Sequence, residues 1–235
     1  GRLSYFGLIA VLTMGSTSST SMIYSGGPYF CLYPKGKAME DTILRAIGDH
    51  ISVMERLREL SERITQVASA VNDALKDGGK VVLFGNGGSS CDAQHIAAEM
   101  LGITAGGDSK RGLHAISLAD NTALLTAVGN DLGFGEVFSR QVEAIVQKGD
   151  LVIGLSTSGS SPNVIKALSA AKRLGARTVA LTGEGGELAR MADIAIAVPS
   201  DSVPRIQEAH ITIGHIVCEV AQRAMTKEYL TRFSS

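Results

Sequence analysis

The sequence predicts an α/β protein: a three-layer parallel sheet with helices on both faces, preceded by a long N-terminal helical segment. Three observations carry that prediction. Two turns rich in Gly and Ser each follow a run of β-forming residues directly. Gly85-Asn86-Gly87-Gly88-Ser89-Ser90 follows Lys80-Val81-Val82-Leu83-Phe84, and Ser156-Thr157-Ser158-Gly159-Ser160-Ser161 follows Leu151-Val152-Ile153-Gly154-Leu155. From Gly79 onward, short apolar runs alternate with stretches of helical period, the pattern of a parallel sheet covered on both sides. From Met39 to Lys76 the period is helical.

The elements follow in order. Residues 1–38 differ in composition from the rest, with an apolar run from Tyr5 to Met14 and a Ser/Thr/Gly-rich stretch ending near Pro34-Lys35-Gly36. Ten apolar residues fall short of the roughly 20 that span a bilayer, and no small-x-small cleavage site follows. We expect a non-native or disordered extension, with a single domain over 39–235. Within it, Ile43, Ile47, Ile51, Met54, Leu57, Ile64, Val67, Val71 and Leu75 recur at helical steps between charges, as one long amphipathic helix or hairpin over 39–77. Asp77-Gly78-Gly79 ends it as a glycine C-cap. In the α/β core over 79–230, strands are expected at Val81–Phe84, Leu113–Ser117, Leu151–Leu155, Thr178–Leu181 and Ile194–Val198. Helices are expected at Ser90–Leu101, Asn121–Val128, Phe138–Gln147, Pro162–Leu174, Gly186–Met191 and Pro204–Tyr229, with Pro162 and Pro204 in first turns.

Composition narrows the function. The 22 basic and 23 acidic residues are well mixed and leave a formal charge of −1. No basic face suits nucleic acid, and no cationic amphipathic stretch suits a membrane surface. Cys31, Cys91 and Cys218 are isolated and odd in number. That suits a reducing compartment and opposes both a disulfide framework and a Cys-rich zinc site. Cys91 is expected to be a small buried filler.

Both turns suit an anion. A strand that ends in small residues and opens a helix presents free N–H groups and the positive end of a dipole. The hydroxyls of Ser156, Ser158 and Ser161 add neutral donors. Neither turn is followed by the Lys of a Walker loop, and neither reads G-x-G-x-x-G, so a phosphosugar fits better than a nucleotide.

The helix after the first turn carries Asp92, His95 and Glu99, the last two on one face. The final helix carries Gln207, Glu208, His210 and His215. Two imidazoles and a carboxylate make a set for a divalent metal such as zinc. Spacing alone does not choose between His210 and His215. Gln207 and His215 stand about 12 Å apart along a helix, so either their side chains converge or one comes from another subunit.

Taken in order, several motifs resemble a known family. They are Gly85-Asn86-Gly87-Gly88-Ser89, Asp92-Ala93-Gln94-His95 with Glu99, Gly129-Asn130-Asp131, Phe138-Ser139-Arg140-Gln141-Val142, Ser156-Thr157-Ser158-Gly159, and Arg205-Ile206-Gln207-Glu208 with His210 and His215. From about Met39 to Met225 the chain is similar to the phosphoheptose (sedoheptulose 7-phosphate) isomerases of the sugar isomerase (SIS) domain superfamily. One departure is Leu101-Gly102-Ile103, where members carry a basic residue soon after the glutamate, and Lys110-Arg111 stand as substitutes.

The resemblance implies a Rossmann-like SIS fold and aldose–ketose isomerisation of sedoheptulose 7-phosphate to D-glycero-manno-heptose 7-phosphate in heptose biosynthesis. It implies a cytoplasmic homotetramer with active sites at subunit contacts, acting on a phosphosugar. By motif, zinc falls to His95, Glu99, Gln207 and His215, which selects His215 over His210. Substrate contacts fall to Asn86, Gly87, Gly88, Glu99, Asn130, Asp131, Ser156, Thr157, Ser158, Ser161 and Gln207, and catalysis to Glu99 as base with His215 as acid/base partner. The rival is a non-catalytic SIS protein that binds phosphosugar or the replication initiator DnaA; such a relative lacks the helix glutamate and the final-helix histidine, both present here.

Overall fold

Alternation along the strands decides how the sheet is covered. The computed structural model describes residues 36–102 and 112–233. Lys110-Arg111, Ile103 and all but the last residues of the expected extension lie outside the described residues. Contacts divide the chain between Asp41 and Thr42. Of the first unit, the described part is a turn at Gly36, whose carbonyl accepts from Met39 and Glu40 N–H at 3.1 and 3.2 Å, and the start of helix α1, Lys37–Arg56.

The second unit holds the sheet. Five parallel strands, β1 (Val81–Gly85), β2 (Ala115–Ser117), β3 (Leu151–Ser156), β4 (Arg177–Gly183) and β5 (Ile194–Val198), lie in the order β2-β1-β3-β4-β5. Val81 and Leu83 join one buried cluster, while Val82 and Phe84 join another. Each face of the sheet therefore carries its own core, and near-continuous burial along β1 and β3 follows. On the first face pack α2 (Ser61–Lys76), α3 (Gly88–Leu101) and α8 (Val203–Phe233). On the second pack α4 (Thr122–Asp131), α5 (Ser139–Ile145), α6 (Pro162–Arg173) and α7 (Glu187–Met191). Phe84 stacks on Phe138 there, with ring centroids 5.2 Å apart.

The expected architecture is present, with local differences. The long N-terminal helix breaks at a 3₁₀ turn, Leu57–Leu60, that buries Leu57 and lets Leu60 pack against the core. In α1 only Val53 is buried, while Ile43, Leu44, Ile47 and Ile51 remain more than half exposed. The glycine stop after α2 forms as expected: Gly78 has φ +81°, and Gly79 N–H returns to the Ala74 carbonyl at 2.9 Å. Strand β2 begins at Ala115 because Leu113 gives its N–H to Met100 at the end of α3, at 2.8 Å.

At the amino ends of the strands a buried ion pair joins β1 to β3. The Asp150 carboxylate accepts from Lys80 N–H at 3.0 Å, from Lys80 Nζ at 2.6 Å and from Gln147 N–H at 2.8 Å. Asp150 is buried and the Lys80 side chain is 13% exposed. Removing one partner of such a pair leaves an uncompensated charge, at a cost of about 3–5 kcal/mol. Urea unfolding of Asp150→Ala is expected to show a loss of that size, and a loss below about 1 kcal/mol would show that the pair does not hold this edge.

Candidate active site

Both small-residue turns sit at the carboxyl ends of adjacent central strands. The β1 connection runs across one face to β2, and the β3 connection runs across the other face to β4. Such a reversal opens a crevice between the two strand ends, where ligands of open α/β sheets bind. In the first turn Gly87 has φ +57°, Gly87 and Gly88 are exposed, and the carbonyls of Asn86 and Gly87 take the first N–H groups of α3. A Cβ on Gly88 would run into the Gln207 carboxamide.

In the second turn the hydroxyls converge. Ser156 Oγ lies 2.8 Å from Ser161 Oγ and 3.4 Å from Ser158 Oγ, and Ser158 Oγ accepts from Ser160 N–H at 3.3 Å and from its hydroxyl at 3.1 Å. Ser156 is buried, Thr157 and Ser161 are half-buried, and Ser158 is exposed. Gly159, at φ +63°, is held against the backbone of Gly185 and Gly186 with no room for a side chain. The result is a rigid hydroxyl cradle at the N-terminus of α6, suited to an anion.

Helices α3 and α8 supply the titratable groups. They run in the same direction, as shown by contacts of Gly88 with Gln207 and of Ile96 with Gly214 and Cys218. His215 Nδ1 donates to Glu99 Oε2 at 2.7 Å, and His95 Nε2 lies 4.0 Å from the same oxygen. The two imidazoles meet edge to face at 5.0 Å. Donor atoms of His95, Glu99 and His215 all lie within 4.8 Å of one another. Two imidazole nitrogens and a carboxylate oxygen at this spacing suit a divalent, borderline-soft cation. Glu99 is 19% exposed, against 57% for His95 and 50% for His215, so the cluster opens to solvent on its histidine side.

Other expected residues fall elsewhere. Gln207 has its carboxamide against Gly88, at the start of the contact between α3 and α8. His210 is fully buried with Nε2 3.2 Å from the Thr182 carbonyl, apart from the cluster. Asn130 and Asp131, exposed at the end of α4, bond to each other at 2.8 Å. The turn after them is fastened to α6 by Glu136 and Lys166 at 2.5 Å. Cys91 is exposed rather than a buried filler, because α3 turns Ser89, Ala93, Ile96, Ala97 and Met100 inward instead. Among the described residues Cys218 is the buried thiol, its pKa pushed up to about 12 by burial, with the nearby Glu99 charge adding to it.

Three features had no clear signal in the sequence. Burial raises Asp92 to about 6 against the opposing pull of His95, and its Oδ2 is buried without a partner. Spaced four and three residues from Gly88 and His95, Asp92 shares their stripe on α3. Asn163, in the first turn of α6, pairs its carboxamide with that of Asn86. Glu208 accepts from His50 at 2.7 Å and from Arg205 at 2.5 Å, and Arg205 also donates to the Ala46 carbonyl, which fastens α1 beside Gln207.

Comparison with known proteins places this arrangement. The family model for the SIS domain matches residues 47–183. A phosphoheptose isomerase of Geotalea daltonii is 47% identical over 192 residues, 81% of this chain and 99% of the relative. One of Aquifex aeolicus is 52% identical over 163 residues, 69% of this chain and 84% of the relative. The solved structure of a phosphoheptose isomerase from Neisseria gonorrhoeae superposes with a TM-score of 0.74 at 38% identity, covering 79% of this chain and 99% of that one.

The neutral state of His210 gives a testable pH dependence. Burial pushes its pKa down to about 4, with the hydrogen bond to Thr182 acting weakly the other way. The unfolded chain takes up this proton near pH 6.5, so the contribution is complete above that pH and is lost as pH falls towards 4. On the order of 3 kcal/mol is at stake. Unfolding measured from pH 7 to pH 4.5 should show a smaller acid-induced loss in His210→Leu than in wild type; parallel profiles would refute the assignment.

Proposed function

We infer the reaction from one premise: the chain belongs to the SIS domain family, and within it to the phosphoheptose isomerases. It is an aldose–ketose isomerase that converts sedoheptulose 7-phosphate to D-glycero-manno-heptose 7-phosphate, an isomerisation step of heptose biosynthesis. The observation that carries the chemistry is the Glu99–His215 contact of 2.7 Å, and the hydroxyl cradle at the start of α6 supplies a separate site for an anion.

Isomerisation moves a proton between C1 and C2 through an enediol, so it needs a base, an acid for the neighbouring oxygen, and a means of holding developing negative charge. Glu99 takes the proton from carbon. His215 holds Glu99 in place through Nδ1 and exchanges protons with the substrate oxygen. Ser156, Ser158 and Ser161 take the phosphate, joined by Thr157. Asn86, Gly87 and Gly88 line the sugar end, with Gln207 packed beside them. Asn130 and Asp131 close the far side of the sugar. Zinc would be held by His95, Glu99 and His215, with Gln207 as the fourth ligand expected from the family motif, and when bound it supplies Lewis-acid polarisation of the substrate oxygens.

The assembly we propose is a homotetramer in the cytoplasm. The exposed stripe of Ile43, Ile47 and Ile51 on α1, with Ile216 and Val220 on α8, supports burial against other copies. Half-exposed His95 and His215 support a site completed by a neighbouring subunit. Among the described residues, Cys91 and Cys218 are both free thiols, which supports a reducing compartment. None of the described helices is long and apolar enough to cross a membrane.

Purified protein is expected to turn over sedoheptulose 7-phosphate, with product identified by NMR, and to lose turnover on chelation. Glu99→Gln keeps the side chain's size but removes the base, so turnover should fall by about 10²–10⁴-fold with an unchanged circular dichroism spectrum. Near wild-type turnover would remove Glu99 from the mechanism, and a wild-type protein that binds the phosphosugar without converting it would favour the non-catalytic reading. Light scattering on Ile47→Asp is expected to show a smaller species than wild type; an unchanged mass would place the interface away from α1.

A further inference from the structure

The hydrogen-bonded ladder between β1 and β3 ends at Gly85 and Leu155. Beyond it, the two turns diverge to helices on opposite faces, and one side-chain pair rejoins them. Asn86 Nδ2 donates to Asn163 Oδ1 at 2.9 Å, and Asn163 Nδ2 donates to Asn86 Oδ1 at 2.9 Å. Asn163 Oδ1 also accepts Val164 N–H at 3.0 Å, and the residue is 3% exposed, so its carboxamide is fixed on both sides. Asn86 is half-buried and leads directly into exposed Gly87 and Gly88. The pair therefore crosses the crevice at the point where the sheet offers no further tie.

We propose that Asn163 is a positioning residue for the phosphosugar: its paired contact with Asn86 fixes the gap between the turn that takes the sugar and the turn that takes the phosphate. The proposal rests on the isomerase reading above. A substrate anchored at one end by Ser156, Ser158 and Ser161 meets Asn86, Gly87 and Gly88 at a distance set by that gap. Loss of the pair loosens both grips together and leaves the Glu99–His215 contact intact.

The test is a double-mutant cycle with Asn86→Ala and Asn163→Ala, read as KM, kcat and inhibition by inorganic phosphate. Asn163→Ala is expected to raise KM about tenfold, with kcat within about threefold of wild type and phosphate inhibition weakened alongside KM. Asn86→Ala removes a sugar contact as well as the pair, so the double variant should be no worse than Asn86→Ala alone. Asn163→Asp keeps the side-chain volume but cannot donate to Asn86, so it should also raise KM and covers a poorly folding alanine variant. KM within twofold of wild type in both folded Asn163 variants would overturn the proposal, as would additive effects in the double variant. If wild type fails to convert sedoheptulose 7-phosphate, the isomerase reading fails. Titration of inorganic phosphate into wild type and Asn163→Ala then decides the positioning role alone, with equal affinities overturning it.

Discussion

The parallel pairing of β1 with β3 at the centre of the sheet is the constraint on which the site depends. Crossover connections between parallel strands are right-handed, so a chain that leaves β1 towards one edge and β3 towards the other must place α3 and α6 on opposite faces. Neither helix can then cover the ends of both central strands. The starts of α3 and α6 are left facing open space, and small residues there keep that space clear. The crevice is a result of chain routing, and side chains only equip it.

A second constraint equips it. Helices α3 and α8 lie side by side in the same direction, so residues far apart in sequence meet in order along the seam. Gly88 meets Gln207, Ile96 meets Gly214, and Glu99 meets His215. The hydrophobic cluster beneath them, with Ile96, Ile213, Val217 and Cys218 buried, sets the rotation of both helices. The Glu99–His215 pair is thus oriented by packing on its inner side and remains accessible on its outer side.

Much of this was legible in the sequence because the central strands are covered on both faces. Strands buried on both faces appear as unbroken runs such as Val81–Phe84, and turns that must stay empty appear as glycine and serine. The line of His95 and Glu99 follows from helical period alone. Other features depend on three-dimensional neighbours that no spacing encodes. The break at Leu57–Leu60 reflects where two leucines find the core, and the late start of β2 reflects a hydrogen bond to the end of α3. Asn163 reads as an ordinary first-turn residue until Asn86, 77 positions away, is seen opposite it. Choosing His215 over His210 needed family motifs at the sequence level, whereas in the fold one lies beside Glu99 and the other under Thr182.

The seam between α3 and α8 has a consequence for how this protein can vary. Its width is set by a glycine on each helix: Gly88 leaves no room for a Cβ beneath Gln207, and a Cβ on Gly214 would stand 2.6 Å from the Ile96 side chain. A glycine inside a helix costs roughly 1 kcal/mol relative to alanine, so local helix stability favours replacing Gly214. Such a replacement would strengthen α8 taken alone and prise it away from α3, carrying His215 off Glu99. A single methyl group outside the reacting cluster could therefore yield a better helix and a poorer enzyme, so helix propensity is an unsafe guide for stabilising this protein.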